Sequence, residues 1–231
     1  MRRIFAWVIC CCFLCLPVRA AEDEKLICLT FDDGPSGRFT RKLLDGLAER
    51  DAKATFLLCG YRIEQYPELA KRIQAEGHEI GLHGYSHDAM QTMCRHQVSR
   101  EIQRTMALLP DGCRIAFLRT PGGRCSDCVS CVAKTYGLAI LYWSVDPKDW
   151  AIHDARAIEK AVTDKAKDGD VVLLHDMSDS SVEAALAIVD ALQAQGFRFV
   201  TASQLAQAKN VILVPGAQYS RFETTHLQGE K

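Results

Sequence analysis

Side chains able to do chemistry are clustered in this sequence of 231 residues. The first cluster is the carboxylate pair Asp32 and Asp33, within the segment TFDDGP at positions 30–35. One carboxylate of such a pair can bind a cation while the other remains free as a base. Asp, Gly and Pro are also common in turns without function. The segment alone therefore leaves a catalytic pair and a solvated turn as open interpretations.

Two histidines, His83 and His87, lie four residues apart in the segment HGYSH. On a helical turn or a tight loop, two imidazoles can approach one ion at about 2.0–2.1 Å, as zinc requires. Together with Asp33 they would leave a coordination position for water, which is typical of catalytic zinc sites. Solvated loop histidines are the alternative for an isolated pair, and the presence of Asp33 favours the metal site.

Short apolar or β-branched runs alternate with helical patterns along the chain. Seven runs predict strands, at 26–31, 54–58, 79–82, 115–118, 139–143, 171–174 and 197–200, and an edge strand is expected at 211–214. Helices are predicted at 41–50, 67–75, 98–109, 155–167 and 182–195. This order predicts a single α/β domain with a parallel sheet, either doubly wound or closed as a barrel.

The reactive side chains follow the predicted strands. Five strands are followed by such residues: Asp32, Asp33, His83, Arg119, Asp146, Trp150, His175 and Asp176. The carboxyl ends of parallel strands converge on one face, where active sites of barrels and open sheets are built. We therefore expect one shared site.

The composition is that of an ordinary soluble globular protein, with 28 Lys+Arg, 29 Asp+Glu and 48% hydrophobic residues. It excludes a disordered chain and a multi-pass membrane protein. Without a stripe of Lys or Arg, it also argues against nucleic acid or an anionic membrane as a partner attracted by charge.

Residues 1–20 have the pattern of an export signal. Arg2 and Arg3 precede an apolar stretch at 4–16, and Val18 and Ala20 stand where a signal peptidase reads small or apolar residues. The stretch is shorter than the roughly 20 residues that span a bilayer. This favours cleavage after Ala20 over an uncleaved membrane anchor. We expect a secreted or cell-envelope domain at 21–231, without stable membrane insertion.

Seven of the 11 cysteines lie beyond residue 20. Cys28 and Cys59 fall in or beside apolar strands, where cysteine behaves as a small buried hydrophobe. Cys125, Cys128 and Cys131 are weak evidence for a soft-metal site, because no fourth ligand stands at matching spacing. A local disulfide or surface thiols is the favoured interpretation.

Five motifs, in this order, resemble those of the polysaccharide deacetylases, carbohydrate esterases with a NodB-homology domain. They are TFDDGP at 30–35, the His83/His87 pair, RTPGG at 119–123, DPKDW at 146–150 and LLHD at 173–176. The resemblance covers roughly residues 26–205 and implies a distorted (β/α) barrel with about seven parallel strands. It also implies metal-dependent removal of N-acetyl groups from an amino-sugar polymer, either peptidoglycan or a chitin-like oligosaccharide.

The resemblance assigns roles to individual side chains. It implies that Asp33, His83 and His87 hold a divalent cation, with zinc expected and cobalt or another divalent ion as alternatives. Asp32 would be the general base and His175 the general acid, whose ordinary titration lies near neutral pH.

The remaining motif residues would support these groups. Arg119 would orient Asp32, and Asp146 would keep His175 protonated; Asp149 competes for this second role. The backbone N–H of Gly122 would bind the oxyanion, Leu173 would contact the acetyl methyl group, and Trp150 would bind substrate. Trp143 is expected in the core and His78 on the surface or in a loop.

Two other functions are compatible with these motifs. The same side chains could cleave an O-acetyl ester, as in the acetylxylan esterases of the resembled group. A noncatalytic carbohydrate-binding domain would keep the groove without turnover. The presence of all the expected reactive side chains argues against this second alternative.

Overall fold

The computed structural model describes residues 24–224 of the chain. The export signal predicted at residues 1–20 lies outside the described residues. The strands are β1 (Lys25–Asp32), β2 (Ala54–Leu58), β3 (Glu79–Leu82), β4 (Phe117–Leu118), β5 (Ala139–Leu141), β6 (Val171–His175), β7 (Phe197–Phe199) and β8 (Gln218–Tyr219). The helices are α1 (Gly37–Glu49), α2 (Gly60–Gln65), α3 (Pro67–Ala75), α4 (Arg95–Met106), α5 (Asp127–Thr135), α6 (Ala155–Thr163), α7 (Asp179–Gln193) and α8 (Ala202–Ala208).

All strand pairs are parallel, in the order β6-β1-β2-β3-β4-β5-β8, and β7 pairs with the first residues of β1. A parallel bridge between Val145, just after β5, and Val172 of β6 brings the two ends of this order together. The predicted single-domain, distorted (β/α) barrel is therefore confirmed. Within residues 24–224, no helix has both the length and the apolar character needed to cross a bilayer.

Burial explains why the strands form where they do. Every residue of β1 after Lys25 is buried, as expected for a central parallel strand covered on both faces. The amphipathic helix α1 buries Leu43, Leu44 and Leu47 against this layer. The core thus fixes the carboxyl ends of the strands, which carry the reactive side chains.

Several elements differ from the sequence expectation. The predicted strand at 211–214 is irregular, and the edge strand instead lies at β8, where Gln218 and Tyr219 pair with β5. Helices α2, α5 and α8 were not predicted; two of them, α2 and α8, have fewer than eight residues. His78, expected on the surface or in a loop, is buried, and its Nδ1 accepts a hydrogen bond from the backbone N–H of Ala54 at 3.2 Å. Cys28 and Cys59 are buried, as predicted.

Candidate active site

One cavity of about 390 Å³ opens at the carboxyl ends of the strands. Nine of the ten site residues proposed from the sequence line it: Asp32, Asp33, His83, His87, Gly122, Asp146, Trp150, Leu173 and His175. The tenth, Arg119, is fully buried beneath the cavity floor. The topology therefore brings together residues that are distant in the sequence.

Three potential metal ligands converge in this cavity. Oδ1 of Asp33 lies 3.3 Å from Nε2 of His83 and 3.0 Å from Nε2 of His87. Each residue offers one ligand atom, and all three atoms lie within 4.8 Å of one another. Among residues 24–224 this is the single group of three or more His, Cys, Asp or Glu with such spacing, so the cysteines at 125–131 form no comparable site.

The donor set fits a divalent cation. Oδ1 of Asp33 is buried yet accepts no hydrogen bond of acceptable geometry within the described residues. Nδ1 of His83 lies 2.9 Å from the backbone oxygen of Arg119, which can only accept, so Nδ1 donates and Nε2 is the ring nitrogen that faces Asp33. Burial raises the pKa of Asp33, but the two imidazoles more than offset this and hold its pKa well below its usual range. The pKa of His87 is raised, chiefly by Asp33.

The backbone aims these ligands by unusual conformations. Asp33 has φ 71° and His87 has φ 66°, in the left-handed region that non-glycine residues seldom adopt. Each such residue costs roughly 1–3 kcal/mol and persists only where the surroundings impose it. Two of the three proposed ligands are thus held in strained positions by the fold, which is common at functional sites.

Glu101 of α4 organises the loop between the two histidines. Its Oε2 accepts hydrogen bonds from the backbone N–H of Tyr85 at 2.7 Å and of Ser86 at 2.8 Å, and from the Ser86 hydroxyl at 3.0 Å. Glu101 is 8% exposed, so this anchor is shielded from water. Gly84 has φ 75° and no Cβ, so it lets the loop pass close to Glu101. Sequence reasoning missed Glu101, because a single acid within a helix carries no motif.

Asp32 is held separately from the ligand group. Nη1 of Arg119 donates to Asp32 Oδ1 at 2.6 Å, while Asp32 Oδ2 lies 3.8 Å from Nε2 of His83. Arg119 is in turn fixed by bonds to Thr30 Oγ1 at 2.7 Å and to the backbone oxygens of Leu141 and Tyr142, both at 2.8 Å. Asp32 is therefore oriented as a carboxylate with one oxygen engaged by a guanidinium and the other toward the cavity.

The carboxylate partner of His175 is Asp149. Oδ1 of Asp149 accepts from the ring Nδ1 at 2.8 Å, and Oδ2 accepts from the backbone N–H of His175 at 2.8 Å. Burial lowers the pKa of His175, but Asp149, with smaller contributions from Asp32 and Asp33, raises it to about 9. With Nδ1 engaged, Nε2 is the ring nitrogen available to a substrate.

The structure corrects the proposed pairing of Asp146 with His175. Oδ1 of Asp146 instead accepts from the backbone N–H of Lys148 at 2.8 Å, forming a turn at the cavity edge. Lys148 has φ 58°, and after this reversal Asp149 enters the interior, where it is 1% exposed. The spacing to Trp150 favoured Asp146, but the left-handed turn brings the other acid to the histidine.

Aromatic and glycine residues form the cavity walls. Trp143, expected in the core, is only partly buried and lines the cavity, because β5 already ends at Leu141. A Cβ on Gly123 would lie 2.5 Å from the Trp143 ring, so glycine permits this packing. Trp150 is 62% exposed at the rim, whereas Leu173 is 5% exposed at the base. The cavity thus combines polar reactive groups with an apolar base and a flat aromatic edge.

Comparisons with known proteins extend over the whole domain. The sequence model of a family described as polysaccharide deacetylase matches residues 19–141. A peptidoglycan-N-acetylglucosamine deacetylase of Bacillus cereus is 39% identical over 195 residues, which cover 82% of this chain and 92% of that protein. A chitooligosaccharide deacetylase of Rhizobium leguminosarum bv. trifolii is 33% identical over 195 residues, covering 77% and 90% respectively. The solved structure of a family 4 acetyl xylan esterase from Clostridium thermocellum, in complex with a cobalt ion, has a TM-score of 0.80 at 30% identity and covers 85% of this chain and 98% of that one.

Proposed function

The chain belongs to the polysaccharide deacetylase family, and on that premise we propose that it hydrolyses N-acetyl groups on the amino sugars of peptidoglycan or of a chitin-like oligosaccharide. The observation that carries the proposal is one cavity that contains the Asp33, His83 and His87 group beside Asp32 and His175. Relatives named for peptidoglycan and chitooligosaccharide deacetylation support this substrate class.

We assign Asp33, His83 and His87 as ligands of a divalent cation. Two imidazole nitrogens and one carboxylate oxygen suit zinc, our first choice, and cobalt is the second. A cation bound there supplies Lewis acidity, which polarises the acyl oxygen and lowers the pKa of water.

Asp32 acts as the general base. Its Oδ2 accepts a proton from the water that attacks the acetamide carbon, while Arg119 fixes Oδ1. Because the guanidinium is fully buried and has four hydrogen bonds, Asp32 cannot rotate without breaking that network. Arg119 is thus a positioning residue.

His175 acts as the general acid. Nε2 donates a proton to the sugar nitrogen as the carbon–nitrogen bond breaks, so that an amine and acetate leave. A protonated imidazole is required at this step, because the sugar nitrogen is a very poor leaving group unless it receives a proton. Asp149 supports that state by accepting from Nδ1.

The cavity walls orient the substrate. The backbone N–H of Gly122 donates to the developing oxyanion, and Leu173 contacts the acetyl methyl group at the apolar base. Trp150 offers its exposed face to a sugar ring at the rim. Asp146, freed from the pairing with His175, lies at the same edge and can accept hydrogen bonds from sugar hydroxyls.

We further propose that residues 1–20 direct export and that residues 21–231 act outside the cytoplasm or on the cell envelope. This placement would give the protein access to peptidoglycan, which lies outside the membrane. The basic and apolar pattern of residues 1–20 supports export.

Acetate release is the experiment that tests the proposed activity. The purified protein is incubated with peptidoglycan, chitooligosaccharide and acetylated xylan, each with and without a chelator. We expect release from an amino-sugar polymer that the chelator abolishes. Release from xylan alone would establish the O-acetyl esterase alternative, to which the esterase neighbour lends support. Binding without release would establish the noncatalytic alternative; Asp32→Asn is the matched control, which should bind and not turn over.

A further inference from the structure

Two further hollows lie beside the catalytic cavity on the His175 side. A second hollow of about 280 Å³ shares Asp33, Trp150 and His175 with the catalytic cavity and extends to Met177. A third hollow, of about 290 Å³, shares Met177 with the second and lies between the beginning of α1 and helix α2. Hollows that share lining residues are neighbours, so the three lie side by side at the carboxyl end of the barrel.

The third hollow contains a guanidinium without an acidic partner. Nε of Arg62 donates to the Tyr61 hydroxyl at 3.1 Å, and Nη1 donates to Oε1 of Gln65 at 3.5 Å. Both acceptors are neutral, and within residues 24–224 no ion pair joins Arg62 to a carboxylate. Arg62 is half-buried in the wall of the hollow. A partly desolvated, unpaired guanidinium attracts an anion more strongly than a fully solvated one.

The surrounding charges leave this hollow net positive. Arg38 also lines it, but Nη2 of Arg38 already pairs with Asp179 at 2.9 Å, and its side chain is 74% exposed. Two guanidinium groups therefore line the hollow, and the one carboxylate that pairs with Arg38 is not among its lining residues. Phe39 and Met177 supply apolar surface beside them. This combination suits a flexible ligand that presents both a carboxylate and aliphatic groups.

We infer that the third hollow binds a carboxylate on the peptide branch of a peptidoglycan substrate, and that Arg62 recognises it. The inference rests on the proposed function and narrows its substrate class. A chitin-like oligosaccharide has hydroxyl and acetamide groups but no carboxylate, whereas the peptide branches of peptidoglycan contain free carboxylates. A guanidinium recognises a carboxylate through two parallel hydrogen bonds. The catalytic cavity would thus hold the glycan, and the third hollow would hold the branch at Arg62.

The test compares Arg62→Gln with the wild-type protein on two matched ligands. One is a peptidoglycan fragment with its acidic peptide, and the other is the same fragment with the peptide carboxylates converted to amides. Dissociation constants come from calorimetry and kcat/KM from acetate release. We expect Arg62→Gln to weaken binding of the peptide-bearing fragment about tenfold or more, as for loss of one charge-assisted hydrogen bond. The change should appear in KM rather than kcat, with no effect on the amidated fragment.

Two variants control for charge and folding. Arg62→Lys keeps the charge without the planar fork and should restore part of the affinity. Arg114→Gln removes an exposed arginine before β4, at the opposite end of the sheet, and should have no effect. Equal affinity of wild type and Arg62→Gln for the peptide-bearing fragment would overturn the inference, as would an equal loss on both ligands. Absence of acetate release, with binding that still depends on Arg62, would overturn the proposed function alone.

Discussion

Replacing Asp149 by Asn removes the charge that sustains the protonated form of His175. Asp149 accepts from both Nδ1 and the backbone N–H of that histidine, each at 2.8 Å, and the pKa of His175 is raised to about 9. Without this charge we expect its pKa to fall by roughly two units, or about 3 kcal/mol. A bound cation lowers the pKa in both proteins, so the predicted quantity is the difference between them.

The pH dependence of kcat on a soluble chitooligosaccharide measures this difference. The alkaline limb reports deprotonation of the general acid, so Asp149→Asn should move that limb about two pH units toward acid. Asp146→Asn is the matched control and should leave the limb unchanged, because Asp146 contacts Lys148 rather than His175. An unchanged limb in Asp149→Asn, or an equal shift in Asp146→Asn, would refute the assignment.

The same pair of proteins gives a stability prediction for the metal-free state. A histidine whose pKa is raised in the folded state contributes its full stabilisation below its unfolded pKa of about 6.5, and this contribution is lost as the pH rises through the folded value. The free energy of unfolding of the wild type should therefore exceed that of Asp149→Asn most at pH 6. The excess should be largely gone by pH 10, as measured by denaturant titration. A difference in the free energy of unfolding that does not change with pH would contradict an electrostatic origin of this stabilisation.

Three further changes test other parts of the site. Arg119→Met leaves the Asp32 carboxylate buried without its partner and should lower the free energy of unfolding by about 3–5 kcal/mol in urea titrations; a loss below about 1 kcal/mol would contradict the buried pairing. Glu101→Ala should loosen the histidine loop and weaken zinc affinity about tenfold or more in calorimetry. Glu101→Gln retains an acceptor and should keep most of the affinity. An affinity of Glu101→Ala equal to that of the wild type would contradict the positioning role. Burial raises the pKa of Asp176 to about 7, so wild-type stability should fall as the pH rises from about 4 to 7. Asp176→Asn should remove this decline, and an unchanged decline would assign it to another group.

The sequence was sufficient to predict most of the residues that share the cavity. Asp33, His83 and His175 each stand where a parallel strand ends, and the topology of such folds brings these ends to one face. Buried parallel strands could also be predicted from the sequence, because β1 and β6 are largely apolar runs. Position along a strand is a property of the local sequence, so the residues at the strand ends could be predicted from the sequence.

Contacts that depend on loops and on distant helices could not be predicted from the sequence in the same way. The choice between Asp146 and Asp149 depends on the left-handed conformation of Lys148, which no residue type imposes there. Glu101 reaches the histidine loop from α4, 15 residues beyond Ser86. Trp143 faces the cavity because β5 ends two residues earlier than its apolar run suggests. Each depends on tertiary packing rather than on periodicity.

Cobalt titration of the chelator-stripped protein tests the central claim most directly, that Asp33, His83 and His87 hold one cation beside the free carboxylate of Asp32. Visible absorption of the ion and acetate release are followed in the same sample. We predict that both rise together and saturate at one equivalent, that Asp33→Ala abolishes both, and that Asp32→Asn retains the absorption while losing the release. Full release from the stripped protein, or undiminished cobalt binding by Asp33→Ala, would contradict the account.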